Sequence, residues 1–330
     1  MTRRWGIMGT GLIAHAFAEA VRAEGGSITA VSSATPERAR VFAAEHGIDV
    51  ACSPHAALLE QHNLDVVYVA TTNDRHHLDA HACLEAGVPA LVEKPFALNA
   101  ATARTVFESA ARAKVFIAEA MWMRLQPAIT RLHVELSAGA IGPPTAFHAA
   151  MGMLLDPDPH RRWRSAELGG GALLDLGVYP ATLAHDLLGP ATDVRATGEL
   201  ADTGVDLNVA VVADHERGTA TWRCSFSDAS GVWATVAGSD GHIWLGEPFH
   251  HAPSLSIRPH GRAPRDLAIE GHELGYRYEV REVHRCLEAG ALQSPTLRHG
   301  DTIAVLEVLD EIGAQLGIRR PPVTAPEALG

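Results

Sequence analysis

The sequence predicts an α/β protein in two parts: a doubly wound parallel sheet over residues 1–120, then an α+β domain over residues 121–330 with an open, mostly antiparallel sheet. Three observations predict this. Short apolar runs alternate with helix-like segments through the first part, as strands joined by crossover helices do. Beyond Arg124 the period changes, and Thr219 to Ser227 alternates strictly between apolar and polar residues, the pattern of a strand with one buried face. A chain of 330 residues is also longer than one hydrophobic core usually organises.

Trp5-Gly6-Ile7-Met8 reads as the first strand, and Gly9-Thr10-Gly11-Leu12-Ile13-Ala14 leads from it into a helix running through Val21. This is the dinucleotide fingerprint of a Rossmann sheet, with Ala in the third small position. The first glycine permits the tight turn and the second lets backbone approach a pyrophosphate, while the third small residue allows close helix–strand packing. The N–H groups at the helix start then face the phosphates. The next strand, Ile28 to Val31, ends in Ser32-Ser33, where an NAD enzyme normally carries an acid for the ribose 2′-hydroxyl. Arg38 follows in the first turn of a helix that Thr35 caps and Pro36 opens. Hydroxyls and a guanidinium suit a 2′-phosphate, so NADP is the expected cofactor and NAD the less favoured one. A plain helix cap with a solvated arginine, tempered by Glu37, is the alternative.

Leu64 to Ala70 is apolar enough to be a strand buried on both faces. It leads into Thr71-Thr72-Asn73-Asp74-Arg75-His76 and a helix over about residues 78–86, ended by Gly87. Ala90-Leu91-Val92 then runs straight into Glu93-Lys94-Pro95, where proline ends the ladder by removing a donor. Open α/β sheets place ligands at the carboxyl ends of their strands. Thr71, Asn73, His76, Glu93 and Lys94 leave the same edge as Gly9, so all are expected to line the cofactor. Lys94 is placed over its reactive end, with Glu93 setting the charge or position of that ammonium; a solvated ion pair in a surface turn is the alternative. A strand at Val115 to Glu119 closes this half.

In the second part, Pro127 to Ala138 reads as a helix and Thr145 to Met153 as a strand. Asp156 to Arg164 is an irregular basic loop. Leu168 to Leu188 is a glycine-rich start feeding a helix, on which Asp175 and Tyr179 share a face at i,i+4. Val232 to Ala237 and His242 to Leu245 flank Gly238-Ser239-Asp240-Gly241, a hairpin signal. Two helices, 276–289 and 301–316, precede a proline-rich tail. The strand around Trp222 leaves a Thr/Arg/Ser face over, so an isologous dimer through this sheet is expected.

Composition excludes several classes. The net charge of −12 argues against nucleic acid and against anionic membrane surfaces. Cys52, Cys83, Cys224 and Cys286 show no metal spacing and read as buried thiols of a reducing compartment. Arg3-Arg4 imitates a twin-arginine export signal, but His15 and Glu19 interrupt the apolar segment behind it, so an unprocessed cytoplasmic chain is expected. His77 and His81 share a helix face without a third ligand, so no metal is expected there.

The combination of Gly9-x-Gly11-x-x-Ala14, Thr71-x-Asn73-x-x-His76 and Glu93-Lys94-Pro95 resembles the glucose–fructose oxidoreductase / inositol dehydrogenase / rhizopine catabolism (Gfo/Idh/MocA) oxidoreductases. Glu119-Ala120-Met121-Trp122-x-Arg124 and Gly169-Gly170-Gly171-Ala172-Leu173-Leu174-Asp175-Leu176-Gly177-Val178-Tyr179-Pro180 extend the resemblance over nearly the whole chain, most like the dihydrodiol dehydrogenase branch. Many members carry His where Tyr179 stands, which speaks against an inositol dehydrogenase. The resemblance implies hydride transfer between a nicotinamide and a hydroxyl or carbonyl carbon of a sugar, polyol or cyclic diol. Tyr179 would be the proton donor or acceptor, its pKa lowered from about 10 by the Lys94 ammonium. Asp175 would orient the substrate or hold Lys94. Trp122, Trp163 and Arg164 would contact the substrate, and a second subunit would cover the sheet. A non-catalytic NADP sensor of the same fold is the rival reading, disfavoured because a sensor needs no proton relay. A glycosidase using NAD transiently is a second rival, and the histidine-rich motifs of that branch are missing.

Overall fold

The computed structural model describes residues 2–61, 63–158 and 160–322; Pro159, in the basic loop, and the end of the C-terminal tail lie outside the described residues. The chain forms two compact units. The first begins with β1 (Arg4–Met8), α1 (Leu12–Ala23), β2 (Ser27–Ser32), α2 (Pro36–His46), β3 (Val50–Cys52), β4 (Val66–Val69), α3 (His76–Glu85), β5 (Ala90–Glu93), α4 (Ala100–Ala113) and β6 (Ile117–Ala120). The strands lie in the order β3-β2-β1-β4-β5-β6, every pair parallel. The order reverses between β1 and β4, which makes their carboxyl ends the crevice for a dinucleotide. Each residue of β4, β5 and β6 is buried, as strands covered by helices on both faces must be. Two elements lie outside the sequence expectation. β3 is three residues, too short to show a period. α4 is signalled by Asn99, whose side chain caps it by accepting from Thr102 N at 2.8 Å.

The second unit contains α5 (Pro127–Ser137), β7 (Pro144–Gly152), a π-helical turn (Leu173–Gly177) leading into α6 (Val178–Leu188), and then β8 (Ala191–Leu200), β9 (Asp206–His215), β10 (Gly218–Ser225), β11 (Gly231–Gly238), β12 (Gly241–Leu245), β13 (Ser254–Pro259) and β14 (Arg265–Ala268). Its eight strands run β14-β13-β12-β11-β7-β10-β9-β8, antiparallel except for the β7–β10 pair. The alternation expected around Trp222 is present: Ala220, Trp222 and Cys224 are buried while Thr219, Thr221 and Arg223 are half-exposed on the other face. The expected hairpin is a two-residue turn, with Gly238 paired to Gly241.

The chain then returns to the first unit with α7 (Arg277–Glu288), and the last helix, α8 (His299–Leu316), begins in that unit and belongs to the second from Ile303 on. Residues 276–302 belong to the first unit, so its compass runs past the expected 120/121 boundary and includes a helix placed in the second domain from sequence. The reason is a set of partners far away in the chain. Arg277 and Arg281 on α7 donate to Glu24 after α1 at 2.5 and 2.6 Å, and Trp5 Nε1 donates to His284 Nε2 at 3.1 Å.

Candidate active site

The turn after β1 is shaped for close approach. Gly9 has φ +106°, its N–H donates to Ser32 O at 2.9 Å, and a Cβ there would meet Ala70 O at 2.2 Å. Only glycine fits this position. Gly11 is the N-cap of α1, with open space where a Cβ would stand, and exposed Leu12 and half-buried Ile13 follow in the first turn. Thr10 Oγ1 lies 3.2 Å from Ser33 Oγ, bringing the glycine loop and the end of β2 together. Ser32 behaves differently from the expectation: it is fully buried and its Oγ pairs with His55 Nδ1 at 3.0 Å, so its hydroxyl serves the core. The expected Thr35 cap is also corrected, since Thr35 occupies the N-cap position but its side chain makes no capping bond. Arg38 is exposed and has no ion-pair partner among the described residues, while Glu37 is taken by Arg40 at 3.3 Å.

The ends of β4 and β5 are tied to each other. His76 sits between two backbone acceptors, with Nδ1 2.8 Å from Pro95 O and Nε2 3.2 Å from Thr71 O. Thr71 Oγ1 donates to Asp79 at 2.7 Å, and Arg75 donates to the other oxygen of Asp79 at 2.7 Å. Asn73 is buried in the same loop. Glu93 is buried and accepts the Tyr68 hydroxyl at 2.5 Å and the Lys94 backbone N–H at 3.1 Å. Lys94 itself is half-exposed. Its loop has a second carboxylate behind it: Glu119, from β6, accepts Phe96 N–H at 3.1 Å and the Thr302 hydroxyl at 2.8 Å. Thus His76, Glu93 and Glu119 fix the backbone that carries Lys94. Trp122 is buried in this unit, its ring 4.8 Å from that of Tyr276.

In the second unit, Asp175 lies inside the π-helical turn and Tyr179 just after it, where a continuous α-helix was expected. Single π turns widen a helix locally and are frequent at functional sites. Asp175 accepts from Arg162 at 3.0 Å, a loop partner the sequence reading does not name. Tyr179 is buried with its ring 5.2 Å from that of His250. Trp163 Nε1 donates to Asp156 O at 3.0 Å, and Arg161 lies over its ring at 5.8 Å. Trp163 and Arg164 are both half-exposed, and the Trp163 carbonyl accepts Gly171 N–H at 3.0 Å, joining this loop to the glycine-rich segment.

Two buried groups escape sequence reasoning. Asp206, at the start of β9, accepts the Leu173 N–H at 2.5 Å and so anchors the segment bearing Asp175 and Tyr179. Burial pushes its carboxyl up to about 6, against the opposing pull of backbone N–H donors. Gly171, at φ +116°, leaves room for it, since a Cβ there would meet Asp206 Oδ1 at 2.2 Å. Arg124 and Asp186 form a buried bidentate pair, at 3.0 and 2.5 Å, that ties the segment after β6 to α6. The glycine run was the only sequence signal for Asp206, and it named the space without its occupant.

These elements carry the motifs of known proteins. Residues 3–120 match the model of the oxidoreductase family GFO_IDH_MocA with its NAD-binding Rossmann fold, and residues 129–244 match the GFO/IDH/MocA C-terminal domain. The chain is 30% identical to the trans-1,2-dihydrobenzene-1,2-diol dehydrogenase of Bos taurus, with 97% of this chain and 99% of the relative covered. The Danio rerio protein of the same name is 31% identical over 96% and 98%. Among solved structures, levoglucosan dehydrogenase in complex with NADH and levoglucosan superimposes with a TM-score of 0.87 at 18% identity, over 96% of this chain and 98% of that one. A 3-ketoreductase from Actinomadura kijaniata, in complex with NADP and TDP-benzene, gives 0.85 at 24% over the same shares. The structural likenesses show the fold; the full-length sequence matches show the kinship. The chain belongs to the Gfo/Idh/MocA oxidoreductases, as a dehydrogenase or reductase of CH–OH groups with a nicotinamide-binding Rossmann domain.

Proposed function

We propose that the protein is an NADP-dependent oxidoreductase acting on a hydroxyl or carbonyl carbon of a cyclic dihydrodiol, sugar or polyol, with Lys94 and Tyr179 as its proton relay. The observation that supports it most is the full-length match to proteins named for oxidation of trans-1,2-dihydrobenzene-1,2-diol, on a chain that keeps Lys94, Asp175 and Tyr179. The residues present fit a dinucleotide: the Gly9 turn, the open Gly11 approach and the α1 N-terminus form a phosphate cradle. Arg38, exposed and shortly after Ser33 in sequence, favours a 2′-phosphate over a bare ribose. When bound, the nicotinamide supplies or accepts the hydride.

The chain's own residues do the rest. Tyr179 exchanges the proton of the substrate hydroxyl, and Lys94 stabilises the phenolate form by its charge. Asp175, steadied by Arg162, orients the substrate. Glu93 and Glu119 hold the Lys94 loop by its backbone N–H groups, so the ammonium is presented from a fixed strand end. Trp122, Trp163 and Arg164 shape the substrate side. A second copy covers the polar face of the large sheet, and the protein acts in the cytoplasm, consistent with four buried free cysteines. Among the described residues, no helix is long and apolar enough to cross a membrane.

The test is reduction of NADP and NAD, followed by absorbance, across dihydrodiols, aldoses and inositols. Turnover of a diol or sugar with Tyr179→Phe and Lys94→Met each reduced about a hundredfold or more is expected, because removal of a general acid–base costs that much. Wild-type-like rates in Tyr179→Phe, within about threefold, would remove the tyrosine from the relay.

A further inference from the structure

Where α1 meets α2, two imidazoles and a carboxylate converge. His15, in the first turn of α1, places Nδ1 2.8 Å from His46 Nε2 at the end of α2, and Glu45 Oε2 lies 3.8 Å from the same His15 nitrogen. The three donor atoms all lie within 4.8 Å of one another, and among the described residues no other three His, Cys, Asp or Glu side chains converge in this way. Phe42 backs both rings, its centroid 4.5 Å from that of His15 and 4.4 Å from that of His46. None of these residues belongs to the proposed proton relay.

Arg22 decides where the ring protons sit. Its Nη1 lies 3.1 Å from His46 Nδ1, and its Nη2 donates to the His46 carbonyl. A guanidinium can only donate, so His46 Nδ1 accepts and the ring carries its proton on Nε2. That proton points at His15 Nδ1, which accepts it and so already presents a lone pair to the cluster. Burial first, then the charges of Arg22 and His15, lower the His46 pKa and keep this ring neutral near pH 7. Imidazole nitrogens and a carboxylate are the donors zinc takes in three-ligand sites, with water in the fourth position. The end of α2 favours positive charge through its helix dipole, and Glu19 on α1 adds negative charge nearby.

We propose that His15, His46 and Glu45 bind one divalent transition metal of the zinc class, which clamps α1 to α2 and releases Arg22 from the His46 ring. Ligand atoms around tetrahedral zinc stand about 3.3 Å apart, given bonds of about 2.0–2.1 Å. The separations of 2.8 and 3.8 Å must therefore change by about half an ångström in opposite directions, an adjustment that side-chain torsions can make. Once His46 Nε2 ligates the metal, the neutral ring carries its proton on Nδ1, facing a guanidinium that cannot accept it. Arg22 must then leave that nitrogen, while its bond to the His46 carbonyl can stay.

Calorimetric titration of the chelator-treated full chain with zinc chloride, and with magnesium chloride as control, tests this. One zinc per chain should bind and stay bound through gel filtration, and magnesium should not. His15→Gln and His46→Gln should each weaken zinc binding by about a hundredfold or more, and Glu45→Gln by about tenfold. Arg22→Ala should tighten it by about tenfold, because a competing donor and a positive charge are gone. His133→Gln, at an exposed histidine of α5, should leave it unchanged, which separates this site from adventitious imidazole binding. Zinc should also raise the Tm of the wild type and not that of His15→Gln. Should the histidine variants fold poorly, Glu45→Gln and Arg22→Ala, at exposed positions and with opposite shifts, decide the matter. Absence of a retained zinc, binding that survives in both histidine variants, or looser binding in Arg22→Ala would overturn the proposal.

Discussion

Asp206→Asn isolates the electrostatic cost of the anchor beneath the Asp175–Tyr179 segment. Asp206 is 1% exposed and its carboxyl is pushed from 3.8 up to about 6. Because the folded pKa is raised, the folded state holds more protons than the unfolded chain between about pH 4 and 6. The stability this group contributes is therefore full below about pH 4, is lost as pH rises through about 6, and is flat above that. A shift of roughly two units corresponds to ~3 kcal/mol at about 1.4 kcal/mol per unit. Asparagine keeps an oxygen for the Leu173 N–H and never ionises. Relative to wild type, Asp206→Asn should gain up to ~3 kcal/mol as pH rises from about 3.5 to 6.5, with most of the change between about 4 and 6. Urea unfolding of both proteins at half-unit pH steps, followed by circular dichroism, measures the difference directly. Parallel stability profiles, within about 0.5 kcal/mol across that range, would show that the buried carboxyl titrates normally and that the argument from burial fails.

Three further outcomes are expected. Gly9→Ala should abolish binding of either nicotinamide cofactor in fluorescence titration and lower stability by roughly 1–3 kcal/mol, since φ +106° and the Ala70 carbonyl exclude a Cβ. Arg38→Ala should weaken NADPH binding by about tenfold or more and leave NADH unchanged, because a charge-assisted contact to phosphate exists only in the former; equal losses would refute the NADP preference. The polar sheet face holds a concavity of about 620 Å³ bordered by His148, Arg195, Val212, Thr221, Arg223 and Trp233, so Val212→Asp should convert a dimer to monomer in light scattering. A wild-type monomer at micromolar concentration would dismiss that interface.

Where a constraint is local, it is visible in the sequence. The Gly9 turn, the order of strands and helices around it, the Ser239-Asp240 hairpin and the buried Trp222 face all follow from short-range geometry or from a period of two or 3.6 residues. What escaped is what depends on a partner remote in the chain. Ser32 looks like a cofactor hydroxyl until His55, 23 residues on, takes it inward. Thr35 has the right identity for a cap and the right backbone, yet its side chain makes no capping bond. The run of glycines before Asp175 reads as the start of a helix, whereas at Gly171 it is the space that a carboxylate from β9 fills.

The same distinction explains how the residues of the proposed relay are supported. Lys94 and Tyr179 stand in motifs that can be read directly, but the groups that fix their segments are buried carboxyls. Glu93 and Glu119 accept backbone N–H groups of the Lys94 loop, and Asp206 accepts one from the turn that leads to Tyr179. A carboxylate that receives backbone donors inside a protein resists displacement, because removing either partner strands the other without water. Each of the two segments is thus locked from beneath by buried acids. Precision at a proton-transfer site requires such backing, since misplacement by about 1 Å can cost a hundredfold in rate. Substitutions at Glu119 should accordingly behave unlike those at Tyr179. Glu119→Gln keeps an acceptor for Phe96 N–H and should lower kcat modestly, whereas Glu119→Ala, which leaves both Phe96 N–H and the Thr302 hydroxyl unanswered, should lower kcat and stability together by about 1–3 kcal/mol. Equal kcat in all three proteins, with stability lost in Glu119→Ala alone, would separate the loop's anchoring from its chemistry and refute this account.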